Sequence, residues 1–440
     1  MEKPSRGLCV MPFQRKTSLR ALISNDQEEV VVHLADILTA PGRQSYFDSD
    51  PFSHTRCSRA LPIAWPEDIV VLSGPLDRDY YTWLRALNLG PEQIVSFELE
   101  KTTQSLPEIV LEDPAPVQAA LLKSDRRPVY VPFYCSDADV KCAELLGADL
   151  FGCEEEVTRR YFDKHSFKEE CRALNIPIVP GDVHELDTAS PLNYEQMEET
   201  VGRLLSNYGK VIIRSTEGAG GGLSLFTAES PDIQELYETL VSNKEKAVLI
   251  EPLLQVISSP NDQWLIDRKG EIHHVGLSAQ LFQGLKHVGN LEGQYYSDRV
   301  RSYISETSEK IVKRMRQFGY KGVLGIDYII CDEGIYPIEN NARMNGSSYT
   351  YAIADRISEK IGPIPCWKFF KAKTEPCSFS ELVARIEEVV YNGIRKNFVF
   401  PYDTDMLSRN GVFAAAILAE DMYHIDYLQD ALSYMGIARV

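Results

Sequence analysis

The sequence feature that most constrains the fold is a pair of apolar, alternating runs that flank a short polar segment. It reads GVLGIDYIICDEGIYPIENNAR over residues 322–343, and the polar segment is Asp332-Glu333-Gly334. Alternation of period two is typical of strands, and glycine stands where the loop most needs a positive φ. The stretch therefore predicts a β-hairpin, which fixes the side chains that face each other across its strands.

Counting along this hairpin from a three-residue loop gives its register. Cys331 then faces Ile335, and Asp327 lies directly opposite Glu339. Two carboxylates that face each other across strands repel, which destabilises the pair, and a divalent cation removes that repulsion. The register therefore predicts a cation site. The alternative, equally open on this stretch alone, is an ordinary hairpin with polar residues on its wet face.

The same face of the hairpin carries a further oxygen ligand. Asn341 lies two residues beyond Glu339 and points to the same side, and the residue opposite Asn341 is Gly325, which has no side chain in the way. Hard cations such as Mg²⁺ take oxygen ligands, typically one or two carboxylates plus substrate phosphates. Asp327, Glu339 and Asn341 are therefore the candidate metal ligands.

Composition narrows the class of protein. The chain has 440 residues, 44% hydrophobic and 25% charged, which is typical of a folded soluble protein of roughly two to four domains. The formal net charge of −18 argues against nucleic acid or an anionic membrane as a partner, since both favour basic surfaces. Nine cysteines without a CxxC pair, and a start without an apolar signal region, predict a cytoplasmic protein with reduced thiols.

Residues 1–153 alternate strand-like runs with helical stretches. The segments DIVVLS at 68–73, QIVSF at 93–97 and PVYVPF at 128–133 are short, apolar and β-branched. This alternation predicts a small α/β domain with a parallel sheet. No GxGxxG follows its first strand, so dinucleotide binding is unsupported and no chemistry is assigned to this domain.

A helical region follows at 154–175 and ends at the NIP sequence of 175–177. It contains Lys164 and Lys168, which are four residues apart and therefore share a helix face. Taken in isolation, these lysines are best interpreted as a solvated basic edge.

A glycine-rich turn lies between two predicted strands. KVIIRS at 210–215 predicts the first strand, TEGAGGG occupies 216–222, and a second strand follows at 223–227. A Walker loop would instead lead into a helix through GK[ST]. Clustered glycines let backbone N–H groups approach an anion closely, and the guanidinium of Arg214 suits phosphate oxygens. The alternative is a flexible hairpin tip, which rarely needs this many glycines. The glycines are Gly218, Gly220, Gly221 and Gly222.

Two further segments carry candidate binding residues. AVLI at 247–250 predicts a buried strand, and the proline at 252 ends its ladder, which leaves an edge for a ligand that needs backbone hydrogen bonds. The polar, glycine-punctuated segment 278–298 is too long for a simple connection, and such loops are usually functional or disordered. Its His287 is a candidate base, although a hydrogen-bonding or surface role is the favoured interpretation. The candidate substrate residues are Gln280, His287, Asn290, Tyr295 and, beyond the hairpin, Ser347.

Taken in chain order, these pieces resemble the ATP-grasp superfamily over roughly residues 155–355. The shared order is a helix with Asp-Lys, a strand with a basic residue, a glycine-rich hairpin, a strand ending in Glu-x-x-Leu, and an Asp strand paired with Glu-x-Asn-x-Arg. The flanks, including FPYDTDMLSRNGVFAAAILAED at 400–421, resemble the pheganomycin-type peptide ligases.

The resemblance implies a mixed α/β and α+β architecture, with an ATP-grasp fold preceded by a small parallel-sheet α/β domain. The implied domains are an N-terminal pre-ATP-grasp domain at 1–153, a lysine and glycine-loop subdomain at 154–250, a metal-site subdomain at 251–360, and a small C-terminal α+β domain at 361–440.

The resemblance also implies how ATP is held. Lys164 and Arg214 would contact its phosphates, and the glycine-rich loop would close over the β- and γ-phosphates. The family more often has lysine at the second position, and arginine keeps the charge but not the shape. The Glu251 carbonyl and the Leu253 N–H would read adenine. Asp262 would bind the ribose.

The metal and the reacting carboxylate have their own implied partners. Asp327, Glu339 and Asn341 would hold Mg²⁺, for which Mn²⁺ can substitute. Arg343 would stabilise the negative charge that develops at the reacting carboxylate. Some relatives have a second arginine where this chain has Gly325, so Arg343 would act alone or with a loop residue.

The implied reaction joins two small molecules. ATP converts a carboxylate to an acyl phosphate, which an amine then attacks to give an amide, ADP and phosphate. The first hypothesis is thus a carboxylate–amine ligase acting on an amino acid or small peptide, with no nucleic acid or membrane partner. The alternatives are an ATP-grasp small-molecule kinase and a non-catalytic nucleotide-binding regulator. Dimers are common among relatives, so a homodimer is one arrangement that the resemblance allows.

Overall fold

The computed structural model describes residues 17–41, 56–99, 104–187, 189–217 and 225–440. These residues form three β-sheets with helices packed against them. Most buried apolar side chains belong to one large core that joins the beginning of the chain to its end. None of the helices within the described ranges is long and apolar enough to cross a membrane.

The N-terminal region contains a parallel sheet. Its strands are β1 (Glu29–Leu34), β2 (Ile69–Leu72), β3 (Gln93–Ser96), β4 (Arg127–Pro132) and β5 (Asp149–Leu150). Their order is β3-β2-β1-β4-β5, and every neighbouring pair is parallel. Strand β1, EVVVHL, is buried along its whole length, as expected for a strand covered on both faces. The predicted parallel α/β domain is confirmed.

Helices cover this sheet and lead out of it. They are α1 (Leu19–Ile23), α2 (Arg78–Ala86), α3 (Leu106–Glu112), α4 (Ala115–Ser124), α5 (Asp137–Leu145), α6 (Glu155–Phe162) and α7 (Lys164–Ala173), with 3₁₀ turns at Ile37–Thr39 and Arg56–Ala60. The region predicted as one helix at 154–175 is two helices. Asp163 is extended and caps α7, because its side chain accepts a hydrogen bond from the Ser166 N–H at 2.8 Å. Lys164 therefore occupies the first position of α7.

A small antiparallel sheet follows and has a core of its own. Its strands are β6 (Asp182–Glu185), β7 (Val211–Ser215), β8 (Leu225–Ala228) and β9 (Ala247–Pro252), in the order β6-β9-β7-β8. Helices α8 (Asn193–Tyr208) and α9 (Gln234–Ser242) pack on it through side chains such as Met197, Val201 and Leu240. Gly218, Gly220, Gly221 and Gly222 lie outside the described residues, between β7 and β8.

The largest sheet is antiparallel and spans the rest of the chain. Its strands are β10 (Pro260–Ile266), β11 (Ile272–Gln283), β12 (Lys286–Glu292), β13 (Gly322–Cys331), β14 (Gly334–Asn341), β15 (Cys366–Lys373), β16 (Phe398–Tyr402), β17 (Val412–Ala419) and β18 (Ala438–Arg439). The order is β14-β13-β10-β11-β12-β15-β17-β16, and β18 pairs with β15. The last strands of the chain thus continue the sheet that contains the predicted metal ligands. The helices of this part are α10 (Asp298–Gln317), α11 (Gly346–Ile361), α12 (Phe379–Arg385), α13 (Leu407–Asn410) and α14 (Met422–Tyr434).

Two sequence predictions about loops are wrong. The segment 278–298 is largely the β11–β12 hairpin, not a long loop. In the β13–β14 hairpin the loop has two residues, because Cys331 pairs with Gly334 rather than with Ile335. A bulge between Asp327 and Tyr328 then adds back the missing residue on β14. The two differences cancel beyond the bulge.

Candidate active site

A cavity of about 1170 Å³ lies where elements of all three sheets converge. Its walls include Phe133 after β4, Arg214 on β7, and Asp327 on β13. Ordinary small-molecule pockets have volumes of about 300–1,000 Å³, so this cavity has room for more than one ligand. The predicted phosphate and metal residues that the structure describes all line it: Lys164, Arg214, Asp327, Glu339, Asn341 and Arg343.

The two predicted metal-binding carboxylates face each other across the β13–β14 ladder. Asp327 is the partner of Glu339, and Gly325 is the partner of Asn341. The Asn341 amide donates to Asp327 Oδ2 at 2.9 Å, and the Asn261 amide donates to Asp327 Oδ1 at 2.5 Å. The predicted register is therefore confirmed, although it arises from a shorter loop and a bulge.

This donor set fits a hard cation. Burial, together with the nearby charge of Glu339, raises the pKa of Asp327 from 3.8 to about 7. A buried carboxyl beside a second carboxylate is costly to ionise, and a bound cation offsets both terms. Carboxylate and amide oxygens are the ligands that Mg²⁺ takes. The Asn341 Oδ1 accepts from Arg343 at 2.7 Å, so Asp327 and Glu339 are the ligands most directly presented to a metal.

Lys164 links helix α7 to this carboxylate pair. Its Nζ lies 3.4 Å from Glu339 Oε1, and its side chain is 8% exposed. Its backbone N–H donates to the Thr216 carbonyl at 2.9 Å, which ties the start of α7 to the first residue of the glycine-rich turn. A cation at a helix N-terminus beside a carboxylate is well placed to contact an incoming phosphate.

Arg214 points into the same cavity from β7 but is held by a carboxylate. It forms an ion pair with Glu251 on β9, and the other oxygen of Glu251 accepts from Lys168 at 2.5 Å. Lys168 also donates to the Val179 carbonyl at 2.8 Å and is 3% exposed. Although burial opposes the change, Arg214 and Lys168 lower the pKa of Glu251. The solvated basic edge favoured from the lysine spacing alone is thus wrong for Lys168, which is buried.

The sheet already uses the backbone groups that the resemblance implies for adenine. The Leu253 N–H donates to the Lys210 carbonyl at 3.0 Å, so the β7–β9 ladder already uses it. Glu251 is the partner of Ile212 in the same ladder. Backbone groups of alternate residues in an antiparallel strand point to opposite sides. The Pro252 carbonyl and the Leu254 N–H therefore point away from β7, and both residues line the cavity.

Asp262, implied to bind the ribose, lies elsewhere. Its carboxylate accepts from Trp264 Nε1 at 2.7 Å and lies 2.7 Å from His274 Nε2, and it is 1% exposed. Its neighbour Asn261 lines the cavity and contacts Asp327 instead. Successive side chains of a strand point to opposite faces, so only one of the two can face the ligand. The sequence analysis did not identify Asn261, because the resemblance assigned the ribose-binding role to its acidic neighbour Asp262.

Arg343 is buried against aromatic rings beside the carboxylate pair. It is 8% exposed, and its guanidinium lies 5.2 Å from the ring centre of Phe133 and 5.7 Å from that of Phe162. It donates to the Met344 carbonyl at 3.0 Å and to Asn341. These contacts orient a cationic, planar donor group along the cavity wall, close to Asp327 and Glu339.

A side-chain amide network occupies the space where relatives were expected to have a second arginine. A Cβ on Gly325 would come within 2.2 Å of Gln263 Nε2 and 2.6 Å of Asn345 Nδ2. Gln263 donates to Asn261 at 2.7 Å and to Asn345 at 3.0 Å. Ser348 donates to Gln263 at 2.9 Å. The missing side chain at 325 thus makes room for the amides that support Asp327.

Four of the five candidate substrate residues line one wall of the cavity. His287 Nε2 lies 2.9 Å from Asn290 Oδ1, and Gln280 accepts from Ser259 at 2.7 Å. Burial lowers the pKa of His287, which favours the neutral ring at pH 7. Tyr295 is 67% exposed and does not line the cavity. The lining residues are Gln280, His287, Asn290 and Ser347.

Comparison with known proteins agrees with this arrangement. Residues 163–358 match the family model described as the carbamoyl-phosphate synthase L chain, ATP binding domain. That range coincides with the stretch from Lys164 to the helix after the hairpin. No curated protein matches the sequence.

Solved structures resemble nearly the whole chain. Biotin carboxylase of Campylobacter jejuni, in a β-γ-ATP complex, has a TM-score of 0.60 and 15% identity over 96% of this chain and 93% of that one. The biotin carboxylase domain dimer of the Hydrogenobacter thermophilus 2-oxoglutarate carboxylase, with MgADP and bicarbonate, has a TM-score of 0.59 and 14% identity. The match covers 94% of this chain and 91% of that one. N5-carboxyaminoimidazole synthase of Aspergillus clavatus, with ADP and 5-aminoimidazole ribonucleotide, has a TM-score of 0.55 and 13% identity. The match covers 92% of this chain and 98% of that one. At these identities the likeness is one of fold.

Proposed function

We propose, from the premise that this chain is an ATP-grasp enzyme, that it joins a carboxylate to an amine in a reaction driven by ATP. The premise rests on the fold and on the ATP-binding family model that residues 163–358 match. Enzymes of this fold use ATP with Mg²⁺, and two of the similar structures were solved with an adenine nucleotide and a further small molecule. The products are ADP, phosphate and an amide.

One observation carries the proposal. Asp327 and Glu339 are directly opposed on one hairpin, and three cations surround them from different elements of the fold. Groups of both signs that converge on a buried cavity are expected where ATP phosphates and a metal are bound together. The three cations are Lys164 on α7, Arg214 on β7 and Arg343 after β14.

These residues supply charge and alignment to the reaction. An oxygen of the substrate carboxylate attacks the γ-phosphorus, and ADP leaves with the electron pair of the broken bond. Lys164 and Arg214 offset the negative charge of the phosphates, and Mg²⁺, held by Asp327 and Glu339 with Asn341 beside them, would supply further charge neutralisation. Arg343 orients the carboxylate. The amine then attacks the acyl carbon, phosphate leaves, and the amine proton passes to solvent or a nearby base.

The substrates we propose are an amino acid or a small peptide as carboxylate and a second such molecule as amine. The support is the resemblance of the flanking segments to pheganomycin-type peptide ligases, together with a cavity large enough for ATP and a second ligand. Bicarbonate is the competing carboxylate, because one whole-chain structural neighbour was solved with it. We also propose a homodimer, which light scattering on the purified chain would test.

The test of the proposal measures coupling between substrates. Purified protein is incubated with ATP and Mg²⁺, with pooled amino acids and dipeptides or with bicarbonate, and with or without an amine. ADP, phosphate and product masses are then measured. We expect ADP to form only when carboxylate and amine are both present, with a product whose mass corresponds to a new amide. ADP formed without an amine, together with a phosphorylated product, would instead establish the kinase. Tight ATP binding without turnover on any pool would contradict the ligase.

A further inference from the structure

Part of the cavity is lined by residues that lie outside the ATP-grasp motifs. We call this the distal pocket. It is formed by Arg59 and Phe133 of the N-terminal region and by residues of the last 80 positions. Apolar side chains dominate its C-terminal wall, and the acidic residue of this wall is Asp403. The C-terminal lining residues are Phe369, Lys371, Asp403, Met406, Val412, Phe413 and Ala414.

Asp403 uses only half of its hydrogen-bonding capacity. Its Oδ2 accepts from the Arg59 guanidinium at 2.6 Å, and its side chain is 11% exposed. Its Oδ1 is buried and has no hydrogen-bond partner among the described residues. An ionised carboxylate offers about four acceptor positions, and a buried acceptor without a partner costs roughly 1–3 kcal/mol. This oxygen is therefore available to a donor that enters the cavity.

Two tyrosine hydroxyls near Asp403 are also buried without a hydrogen-bond partner among the described residues. Tyr349 is 1% exposed and Tyr80 is fully buried, and neither hydroxyl has a hydrogen-bond partner in the described part of the chain. Each lies close enough to Asp403 to be influenced by its charge. Buried polar groups are usually satisfied by protein, water or ligand. Neither tyrosine lines the cavity, so Asp403 is the group of these three that a ligand in the cavity can contact.

The unpartnered oxygen of Asp403 favours a ligand group that donates hydrogen bonds and carries a positive charge, because an ionised carboxylate only accepts hydrogen bonds. Arg59 pairs with the other oxygen of Asp403, and the Asp405 carboxyl, two residues away, is buried and accepts from the Ser58 hydroxyl at 2.7 Å. Asp403 has a left-handed backbone, with φ of 51°, which holds its side chain at the turn between β16 and α13. A cationic group can thus pair with the free oxygen of Asp403 without displacing Arg59.

The distal pocket lies within one small molecule's length of the reacting centre. The guanidinium groups of Arg343 and Arg59 both lie over the ring of Phe133, at 5.2 Å and 5.7 Å from its centre. Arg59 in turn contacts Asp403. A molecule of amino-acid or dipeptide size is long enough to place its carboxylate at Arg343 and its other end at Asp403.

We propose that Asp403 binds a cationic nitrogen group, an ammonium or a guanidinium, of the molecule whose carboxylate is phosphorylated. The pairing selects carboxylates that carry a positive charge at their far end over neutral ones of the same shape. This inference rests on the proposed ligase function and specifies its carboxylate substrate. Bicarbonate has no such group and gains nothing from Asp403.

The test compares three forms of each candidate carboxylate with hydroxylamine as a common amine, so that hydroxamate formation reports only on the carboxylate. Amino acids and dipeptides are supplied with a free amino group, with an N-acetyl group, or with an N-amidino group that converts the amine to a guanidinium. The variants are Asp403→Asn, which keeps the shape and tolerates the left-handed backbone, and Asp125→Asn as a matched control. Asp125 has the same φ of 51° but is exposed and lies far along the chain, at the end of α4.

We expect the wild-type kcat/KM to favour one or both cationic forms over the N-acetyl form by about 10- to 100-fold, the usual weight of a charged hydrogen bond. Asp403→Asn should remove that preference by lowering kcat/KM for the cationic forms more than for the N-acetyl form, while Asp125→Asn behaves as wild type. The free-amine and N-amidino series distinguish ammonium from guanidinium. Equal use of charged and neutral forms by the wild type, or a preference that survives Asp403→Asn, overturns the proposal.

A second measurement separates this inference from the ligase itself. Thermal stability is compared in butylammonium, butylguanidinium and butanol at equal concentration. A larger rise in Tm with a cation than with butanol, lost in Asp403→Asn, supports the pocket even if the wild type turns over no substrate, which would count against the ligase alone. No difference between cations and butanol, with or without turnover, overturns the inference. Circular dichroism of each variant verifies that it is folded.

Discussion

The two ends of the cavity are built in different ways. At the end where we propose that ATP binds, called the nucleotide end below, groups such as Lys164, Arg214 and Glu339 belong to short motifs. The order of these motifs along the chain identifies them. At the distal pocket, Arg59 and Asp403 are 344 positions apart and meet only because the last strands extend the large sheet against the N-terminal region. Residues that the motifs identify thus come from short segments, whereas the residues that we propose for substrate selection come from segments far apart in the chain.

The sharpest test of the nucleotide end is Glu339→Gln, which removes one of the two opposed carboxylates. We expect kcat to fall by at least about 10²–10³-fold, the usual cost of losing one such electrostatic contact, while the protein stays folded. Steady-state ADP release measures the loss. Glu333→Gln, at the exposed turn of the same hairpin, is the matched control and should keep wild-type rates. Wild-type turnover in Glu339→Gln would refute the metal site.

Lys168→Met tests whether the nucleotide end depends on a buried support. Glu251 would then have Arg214 as its main cation, so Arg214 would be less free to contact phosphates. We expect KM for ATP to rise about tenfold, which corresponds to ~1.4 kcal/mol, with a smaller change in kcat. Lys168→Arg should keep the KM for ATP close to the wild-type value. Lys123→Met, on an exposed helix end, should not change the KM for ATP. An unchanged KM for ATP would mean that Lys168 is only structural.

Gly325→Ala tests the amide network that supports Asp327. The added Cβ would approach Gln263 Nε2 to 2.2 Å, so the side chains must shift. We expect a loss of roughly 1–3 kcal/mol in the free energy of unfolding, as for other overpacked cores, and reduced Mg²⁺-dependent turnover. Urea denaturation measures the first. Gly202→Ala, in helix α8 with only one contact at 3.8 Å, should instead stabilise by about 0.5–1 kcal/mol. Equal stability of Gly325→Ala and wild type would show that the network is loose.

The last expected effect concerns the dependence of stability on pH, through Asp405 beside the distal pocket. Burial, with the charge of Asp403 adding to it and Arg59 and Ser58 opposing it, raises the pKa of Asp405 from 3.8 to about 8. Between these values the folded protein binds more protons at this group than the unfolded chain, so this contribution to stability falls as pH rises from about 4 to 8. Asp405→Asn should flatten that part of the stability curve. If the free energy of unfolding of the variant declines with the same slope between about pH 4 and 8, groups other than Asp405 cause the decline.

The sequence predicted the opposition of the two carboxylates more securely than it predicted the backbone around them. Asp327 faces Glu339 as expected, but through a two-residue turn and a bulge rather than a three-residue loop. The hydrophobic alternation fixes which face is buried, and a turn one residue shorter is compatible with it only if a bulge restores the phase. By contrast, Asp262 and Asn261 are adjacent, and nothing local decided which would face the cavity.

What the sequence determined by itself is the parallel N-terminal sheet and the opposed carboxylates, because both follow from periodicity, turn residues and spacing within short segments. The ATP-grasp interpretation came instead from the resemblance of the motifs, in their order, to that family. Only the tertiary structure decided that Lys168 is buried against Glu251, that the Leu253 N–H is used within the β7–β9 ladder, and that Asp403 lines the cavity. These depend on which strands become neighbours and in what register. Such pairings join segments far apart in the chain, and no local propensity specifies them.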